Sequence, residues 1–348
     1  MKPRVDKVRP PRRWWLYVFT AIVLAVAIEY VLDFFPEEQK EFRSEVRRTV
    51  IQAFPEQATL LAGTYGLTAW GQEVVGAMEF TEGRATVVLV HGLDDPGKVW
   101  TVLAPSLAGL GFDVLEMRYP NDQPIVDSAI FFRQELHRLA SLGVGEISIV
   151  AHSMGGLVSR EVLTNASSTA DRFSPPVIPK VMRLVMIGTP NHGSELARFR
   201  ILGELREQWV NSTENRGHVL AGIMDGAGEA KIDLLPGSRF LSALNSRPPP
   251  ESVEMLVIAG VVSPWNENDI LQMFTSGELN GAAEEWAEWI QSMNNGLGDG
   301  LVTVESTRLE GAGHLLVNGS HLSMIRNMSS TSERIPPAVP LIVEALTQ

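Results

Sequence analysis

Short apolar runs and amphipathic stretches alternate along most of the chain. Ala85–Val90 (ATVVLV), Phe112–Arg118, the run from Ile147, Val181–Ile187 and Val253–Val262 are apolar and rich in β-branched residues. Such runs suit strands buried on both faces of a parallel sheet. Gly313–Asn318 (GHLLVN) reads as the last strand. Ile125–Leu142 and the residues after Ser153 (Leu157, Val158, Arg160, Val162) mix apolar and polar positions as packed helices do. This alternation predicts an α/β architecture, a mostly parallel sheet with helices on both faces.

The ends of the pattern differ. Trp14–Leu32 is nineteen residues, apolar except for Thr20, Glu29 and the tyrosines. As a helix it reaches about 28 Å, close to the hydrocarbon thickness of a bilayer. Before it stand Lys2, Arg4, Lys7, Arg9, Arg12 and Arg13 against Asp6 alone. Trp14, Trp15 and Tyr17 at one end and Tyr30 at the other would form interfacial belts. The expectation is a basic cytoplasmic arm at 1–13 and an uncleaved single-pass anchor at 14–35, with the remainder on the non-cytoplasmic side, periplasmic in a Gram-negative cell. Ala25-Val-Ala27 offers a cleavage site for the alternative, a secretory signal, but the apolar stretch runs on to Phe35 without a polar region. Arg12-Arg13 is a weaker twin-arginine reading.

Pro36–Phe54 is charged, with Phe42, Val46, Val50 and Phe54 four residues apart, one face of a helix that either lies on the membrane surface or packs back on the domain that follows, the second being the expected role. Residues 36–84 are therefore read as a linker helix and first short strands, and 85–348 as the main domain. Two stretches interrupt it, about 190–250 and 263–297. The first contains Phe199, Leu205, Trp209 and Met224 and ends in Pro248-Pro249-Pro250; the second contains Trp265, Phe274, Trp286 and Trp289. Structureless loops of such length are unusual in a compact domain, so both are expected as helical caps.

Composition removes several classes of chemistry. Cysteine is absent from the 348 residues, so there is no disulfide and no thiolate nucleophile. The seven histidines show no H-E-x-x-H or similar metal-ligand spacing, and no P-loop or dinucleotide fingerprint accompanies a strand. No cofactor is implied. A formal charge of −12 argues against a nucleic-acid partner. Oligomeric state is not legible.

Chemistry concentrates where the run Ile147-Ser-Ile-Val-Ala-His-Ser-Met-Gly-Gly156 stops at a serine. A strand, a sharp turn at Ser153 and a following helix make a nucleophile elbow, which demands small residues two before and two after the serine. Ala151 and Gly155 meet the demand, Ala151 standing where the strict pattern has glycine. The first amides of the helix lack intrahelical partners and attract negative charge, which makes Met154 N–H a candidate oxyanion donor. Upstream, Gly92 in His91-Gly92-Leu93 lets the chain turn so that Leu93 N–H points inward.

VLVHG, AHSMGG and Ile187-Gly-Thr-Pro-Asn-His-Gly-Ser194, in that order, resemble the lipase and esterase branch of the α/β-hydrolase superfamily. The resemblance implies an α/β-hydrolase fold, oxyanion amides from Leu93 and Met154, a loop-shaping role for His91, and a triad in the order Ser, Asp or Glu, His. For the base, His321 follows the last strand in a setting (HLSM) similar to the family's, whereas His314 lies at the beginning of that strand. For the acid, Asp299 in Gly298-Asp299-Gly300 leads into the final elements, while Asp269 is nearer the end of 253–262; Asp225, Asp233 and Glu305 also compete. The favoured set is Ser153, Asp299 and His321. It predicts a membrane-anchored serine hydrolase of hydrophobic or lipid-like carboxylic esters, acting through an acyl-enzyme. Thioester hydrolysis or acyl transfer would use the same triad, and a non-catalytic accessory role on this scaffold is the reading from another class.

Overall fold

Every apolar run becomes a strand within a residue or so of its expected limits. The computed structural model describes residues 35–78, 80–81, 83–93, 97–165, 177–194, 224, 226, 228–262, 296–329 and 331–348. In chain order the elements are helix α1 (Pro36–Ala53), α2 (Pro55–Ala62), strand β1 (Gly66–Ala69), β2 (Thr86–Val90), α3 (Leu103–Gly109), β3 (Asp113–Arg118), α4 (Ile125–Ser141), β4 (Glu146–His152), α5 (Met154–Thr164), β5 (Lys180–Ile187), α6 (Glu229–Asp233), α7 (Arg239–Asn245), β6 (Glu254–Val261), α8 (Val304–Thr307), β7 (Gly313–Asn318) and α9 (Ala338–Thr347). The strands form one sheet in the order β1-β3-β2-β4-β5-β6-β7. Only β1 is antiparallel to its neighbour.

Alternation along each strand splits the core into two layers. Val88, Val90, Ile149, Ala151, Leu184 and Met186 point to one face, where Phe132 and Leu136 of α4 and Leu157 and Val158 of α5 cover them. Val87, Leu89, Val150, Val185 and Ile187 point to the other, under Leu103 and Leu107 of α3 and Val339 and Ile342 of α9. The strand order reverses beside β2, whose neighbours β3 and β4 continue the chain in opposite directions across the sheet. Ligands of open α/β sheets bind outside the carboxyl ends of strands at such a reversal.

The 36–54 pattern is one helix, as expected; α1 stops at Phe54 (φ −132°, ψ 62°), because a proline disfavours the helical region for the residue before it. Two expectations need correction. Among the described residues, 55–83 hold α2 and a single strand rather than several. More consequentially, α1 does pack back on the domain, but with its polar side. Phe42 is 65% exposed and Phe54 is exposed, while Val46 and Val50 are only half-buried. Facing inward are Lys40, Arg43, Ser44 and Arg47, at helical three- and four-residue spacing. Lys40 Nζ lies 2.5 Å from Asp233 Oδ1, Ser44 Oγ donates to Glu229, and Arg47 pairs with Glu229 at 3.0 Å and Asp127 at 2.9 Å. The guanidinium of Arg43 fills the space a Cβ on Gly228 would need. α1 thus meets an acidic surface on α6 and the start of α4, and charge rather than the apolar stripe chooses its docking face.

The cap stretches are only partly described. Within 190–250, α6 and α7 are helical as expected; Phe199, Leu205 and Trp209 lie outside the described residues, as do 263–295 and all of the expected anchor at 14–35 except Phe35. Among the described residues no helix is long and apolar enough to cross a membrane.

Candidate active site

β4 ends at His152, and Ser153 follows at φ 55°, ψ −128°. It is the one non-glycine residue with positive φ among those described, a conformation that persists only where its surroundings impose it. The imposition is visible. Ser153 N–H donates to Ile187 O of the next strand at 2.8 Å. A methyl group on Gly155 would sit 2.3 Å from Val90 O, one on Gly156 2.1 Å from Thr189 Oγ1, and one on Gly92 2.7 Å from Ser153 Cβ. These glycines let α5 begin hard against β2 and leave the serine at its tip.

β2 and β4 pair in parallel with Val90 opposite Ala151. Leu93 and Met154, each three residues further on, therefore leave adjacent strands at one level beside Ser153. The turn at 91–93 is held from below: Tyr119 O–H donates to His91 O at 2.6 Å, its ring stacks on His91 at 4.6 Å, and His91 Nδ1 donates to Gly92 O at 2.9 Å. His91 is buried and committed to contacts within the loop and with Tyr119.

Asp299 and His321 meet. His321 Nδ1 is 2.7 Å from Asp299 Oδ2, and both side chains are buried. Asp299 Oδ1 accepts from Leu301 N–H at 2.9 Å and Val302 N–H at 2.8 Å, and its backbone oxygen accepts from His321 N–H at 2.9 Å. With both side-chain oxygens engaged the carboxylate is fixed in its rotamer, and the imidazole is held with Nδ1 towards it. Gly298 (φ 53°) has no room for a side chain, since a Cβ would lie 1.9 Å from Val302 O. The Gly-Asp-Gly pattern thus reflects a tight loop that aims the acid.

The competitors fall elsewhere. Asp233 is buried under α1, paired with Lys40 and accepting from Ile125 N–H. Exposed Glu305 pairs with Arg308. Asp225 and Asp269 lie outside the described residues. His314 Nε2 contacts Thr307 Oγ1 at 2.9 Å and takes no part in the cluster; burial lowers its pKa.

Two participants escaped the sequence reading. Gly188 (φ 57°) ends β5 where a Cβ would lie 3.0 Å from Asp299 Oδ2 and 3.1 Å from His321 Nδ1; it clears the space in which the pair meets. His152, fully buried, places Nε2 2.9 Å from His321 O, with the two rings 4.7 Å apart. Its pKa is held well below the ordinary histidine value, by burial first and by the neighbouring His321 second. Behind the 188–194 loop, Arg160 bridges Asn191 Oδ1 (3.0 Å) and Asn245 Oδ1 (2.9 Å). Burial, then the nearby Arg247, lowers its pKa to about 10, leaving it cationic at neutral pH.

Fold and site together define an α/β hydrolase. The chain belongs to the α/β hydrolase family, whose model matches residues 87–322. It is 31% identical over 150 residues to a triacylglycerol lipase of Burkholderia plantarii, a match covering 40% of this chain and 39% of that protein. The chain therefore spans about two fifths of that relative's length, and a match to human Protein SERAC1 covers 12% of it at 33% identity. Among solved structures, a metagenomic carboxyl esterase superposes with a TM-score of 0.51 at 18% identity, covering 86% of this chain and 89% of the other. Phospholipase PlaB from Legionella pneumophila gives 0.51 at 18%, covering 76% and 60%. At these identities the superpositions speak to fold.

Proposed function

We propose that the chain is a serine ester hydrolase of the lipase and esterase kind. The observation that carries the reading is the 2.7 Å Asp299–His321 pair at the same sheet edge as a serine in a strained elbow. His321 Nε2 takes the hydroxyl proton as Ser153 Oγ attacks the ester carbonyl; Asp299 keeps the imidazole in the required tautomer and stabilises the imidazolium. Leu93 and Met154 N–H groups stabilise the tetrahedral oxyanion, each such donor being worth about 10²–10³ in turnover. Collapse expels the alcohol, which takes the proton back from His321, and water then hydrolyses the acyl-enzyme by the same steps.

Hydrophobic, lipid-like esters are the proposed substrates, supported by the names of the triacylglycerol lipase and phospholipase to which the chain is similar and by the apolar segment 14–35. That segment we read as an anchor, with the catalytic domain on the non-cytoplasmic side. A fluorophosphonate probe tests the chemistry: the full chain labels stoichiometrically and Ser153→Ala does not. Absence of labelling on folded protein would instead support a non-catalytic role.

A further inference from the structure

We infer that the sheet edge carrying Ser153 and the Asp299–His321 pair is turned towards the bilayer that holds the chain, so that substrate is taken from that same bilayer. The inference rests on the anchor proposed above and adds a direction to it. Only two residues separate Leu32, the last of the nineteen-residue apolar run in the proposed anchor, from Phe35, the residue before α1. The three chain steps from Leu32 to Phe35 span at most about 11 Å. A body of this chain's size has a radius of gyration of about 20 Å. While α1 stays docked, the bilayer reaches only the part of the domain next to the beginning of α1.

That part is the catalytic edge. Glu37 in the first turn of α1 accepts from Arg239 N–H at the start of α7, and Lys40 and Ser44 reach Asp233 and Glu229 on α6. Arg47 reaches Gln123 in the turn after β3 and Asp127 in the first turn of α4. α6 is itself seated on the active-site loops, with Ala230 N–H donating to Asp122 O and Ser194 N–H to Leu234 O. Asp122 and Gln123 follow the carboxyl end of β3 and Ser194 that of β5; bonded to both loops, α6 and the α1 seated on it lie on the side on which Ser153 stands. The outer side of α1 carries exposed Glu38, Glu41 and Glu45, which stay in water. Contact with lipid falls to the first turns, where Phe35 and Phe42 are exposed.

The absence of cysteine makes the test direct. A single Leu297→Cys (58% exposed, beside Asp299) and a single Leu142→Cys (53% exposed, before β4 at the opposite edge) are labelled with a fluorophore in the full chain. The protein is reconstituted in phosphatidylcholine vesicles containing nitroxide lipid. We expect quenching at 297 at least about 2-fold that at 142. Equal quenching, or more at 142, in protein that floats with the vesicles overturns the orientation and leaves the anchor standing. Failure to float overturns both. In Lys40→Ala/Arg47→Ala, or in the milder Lys40→Ala, the difference between the two labels shrinks while flotation persists. An unchanged difference in both variants overturns the role given to the α1 contact. Turnover of a water-soluble short-chain ester, which needs no bilayer, tests the catalytic reading separately.

Discussion

His152 Nε2 hydrogen-bonds the backbone oxygen of His321 at 2.9 Å, tying the residue before the nucleophile to the residue proposed as its base. A carbonyl only accepts, so Nε2 carries the proton. Nδ1 is buried without a partner, and burial together with the adjacent His321 holds the ring neutral. A neutral neighbour matters, because a second cation 4.7 Å away would oppose the imidazolium that forms on His321 during turnover.

A pH dependence of stability follows from that burial. The folded-state pKa of His152 lies below the unfolded value, so the unfolded chain binds the extra proton. Its contribution is complete above about pH 6.5 and is lost as pH falls from there towards the folded pKa, at up to about 1.4 kcal/mol per pH unit. His152→Phe removes one proton's worth of this slope. Urea midpoints between pH 7.5 and 5 measure it; an unaltered slope in the variant would show that another group is responsible.

Asp299→Asn keeps the size of the side chain while removing the charge that fixes the imidazole tautomer. We expect kcat to fall by about 10⁴, as when the acid of such a triad is neutralised, with little change in KM. Folding is retained, since Leu301 and Val302 N–H still find the side-chain oxygen. Steady-state kinetics with a chromogenic ester is the measurement, and a loss below about 10-fold would return the acid's role to Asp269.

Gly155→Ala addresses the elbow itself. The added methyl group meets Val90 O at 2.3 Å and His91 O at 2.6 Å, backbone atoms at the end of a central strand and of the residue after it, which cannot swing aside as a side chain can. Overpacking of this kind costs about 1–3 kcal/mol, and here it also displaces Leu93 and Met154, so activity falls more steeply than the melting midpoint. Proportionate loss of the two would mean that the amides do not take part.

Strands and elbow were legible in the sequence because each is a local signal. A buried parallel strand is an unbroken apolar run, and the elbow demands small residues at fixed offsets from Ser153. The pairing of Asp299 with His321 was legible only through family likeness: the two meet through the tight turn at Gly298 and the gap at Gly188, and no local period announces either. The docking face of α1 is not legible in the sequence for a physical reason. The apolar stripe Phe42-Val46-Val50 and the charged stripe Lys40-Arg43-Arg47 both recur at helical spacing. What decided between them is the acidic surface of Glu229, Asp233 and Asp127, up to 193 residues away along the chain.

Arg47→Ala tests whether that charged contact stabilises the fold. Glu229 is fully buried, and burial raises its pKa against the opposing pull of Ser44 and Arg47. Without Arg47 the carboxylate loses its nearest cation, a change that typically costs about 3–5 kcal/mol unless the group takes up a proton. A carboxyl with a raised folded pKa favours the folded state most fully below its unfolded pKa, and that advantage disappears as pH rises through the folded value. The variant is therefore more damaging at pH 8 than at pH 5. Replacing both partners, Arg47→Met with Glu229→Leu, removes both members of this buried pair and restores most of the loss at either pH. Denaturant midpoints of Arg47→Met, Glu229→Leu and the double variant close the cycle. A cost from Arg47→Ala that is independent of pH and unrelieved in the double variant would show that the arginine contributes through packing of its stem instead of its charge.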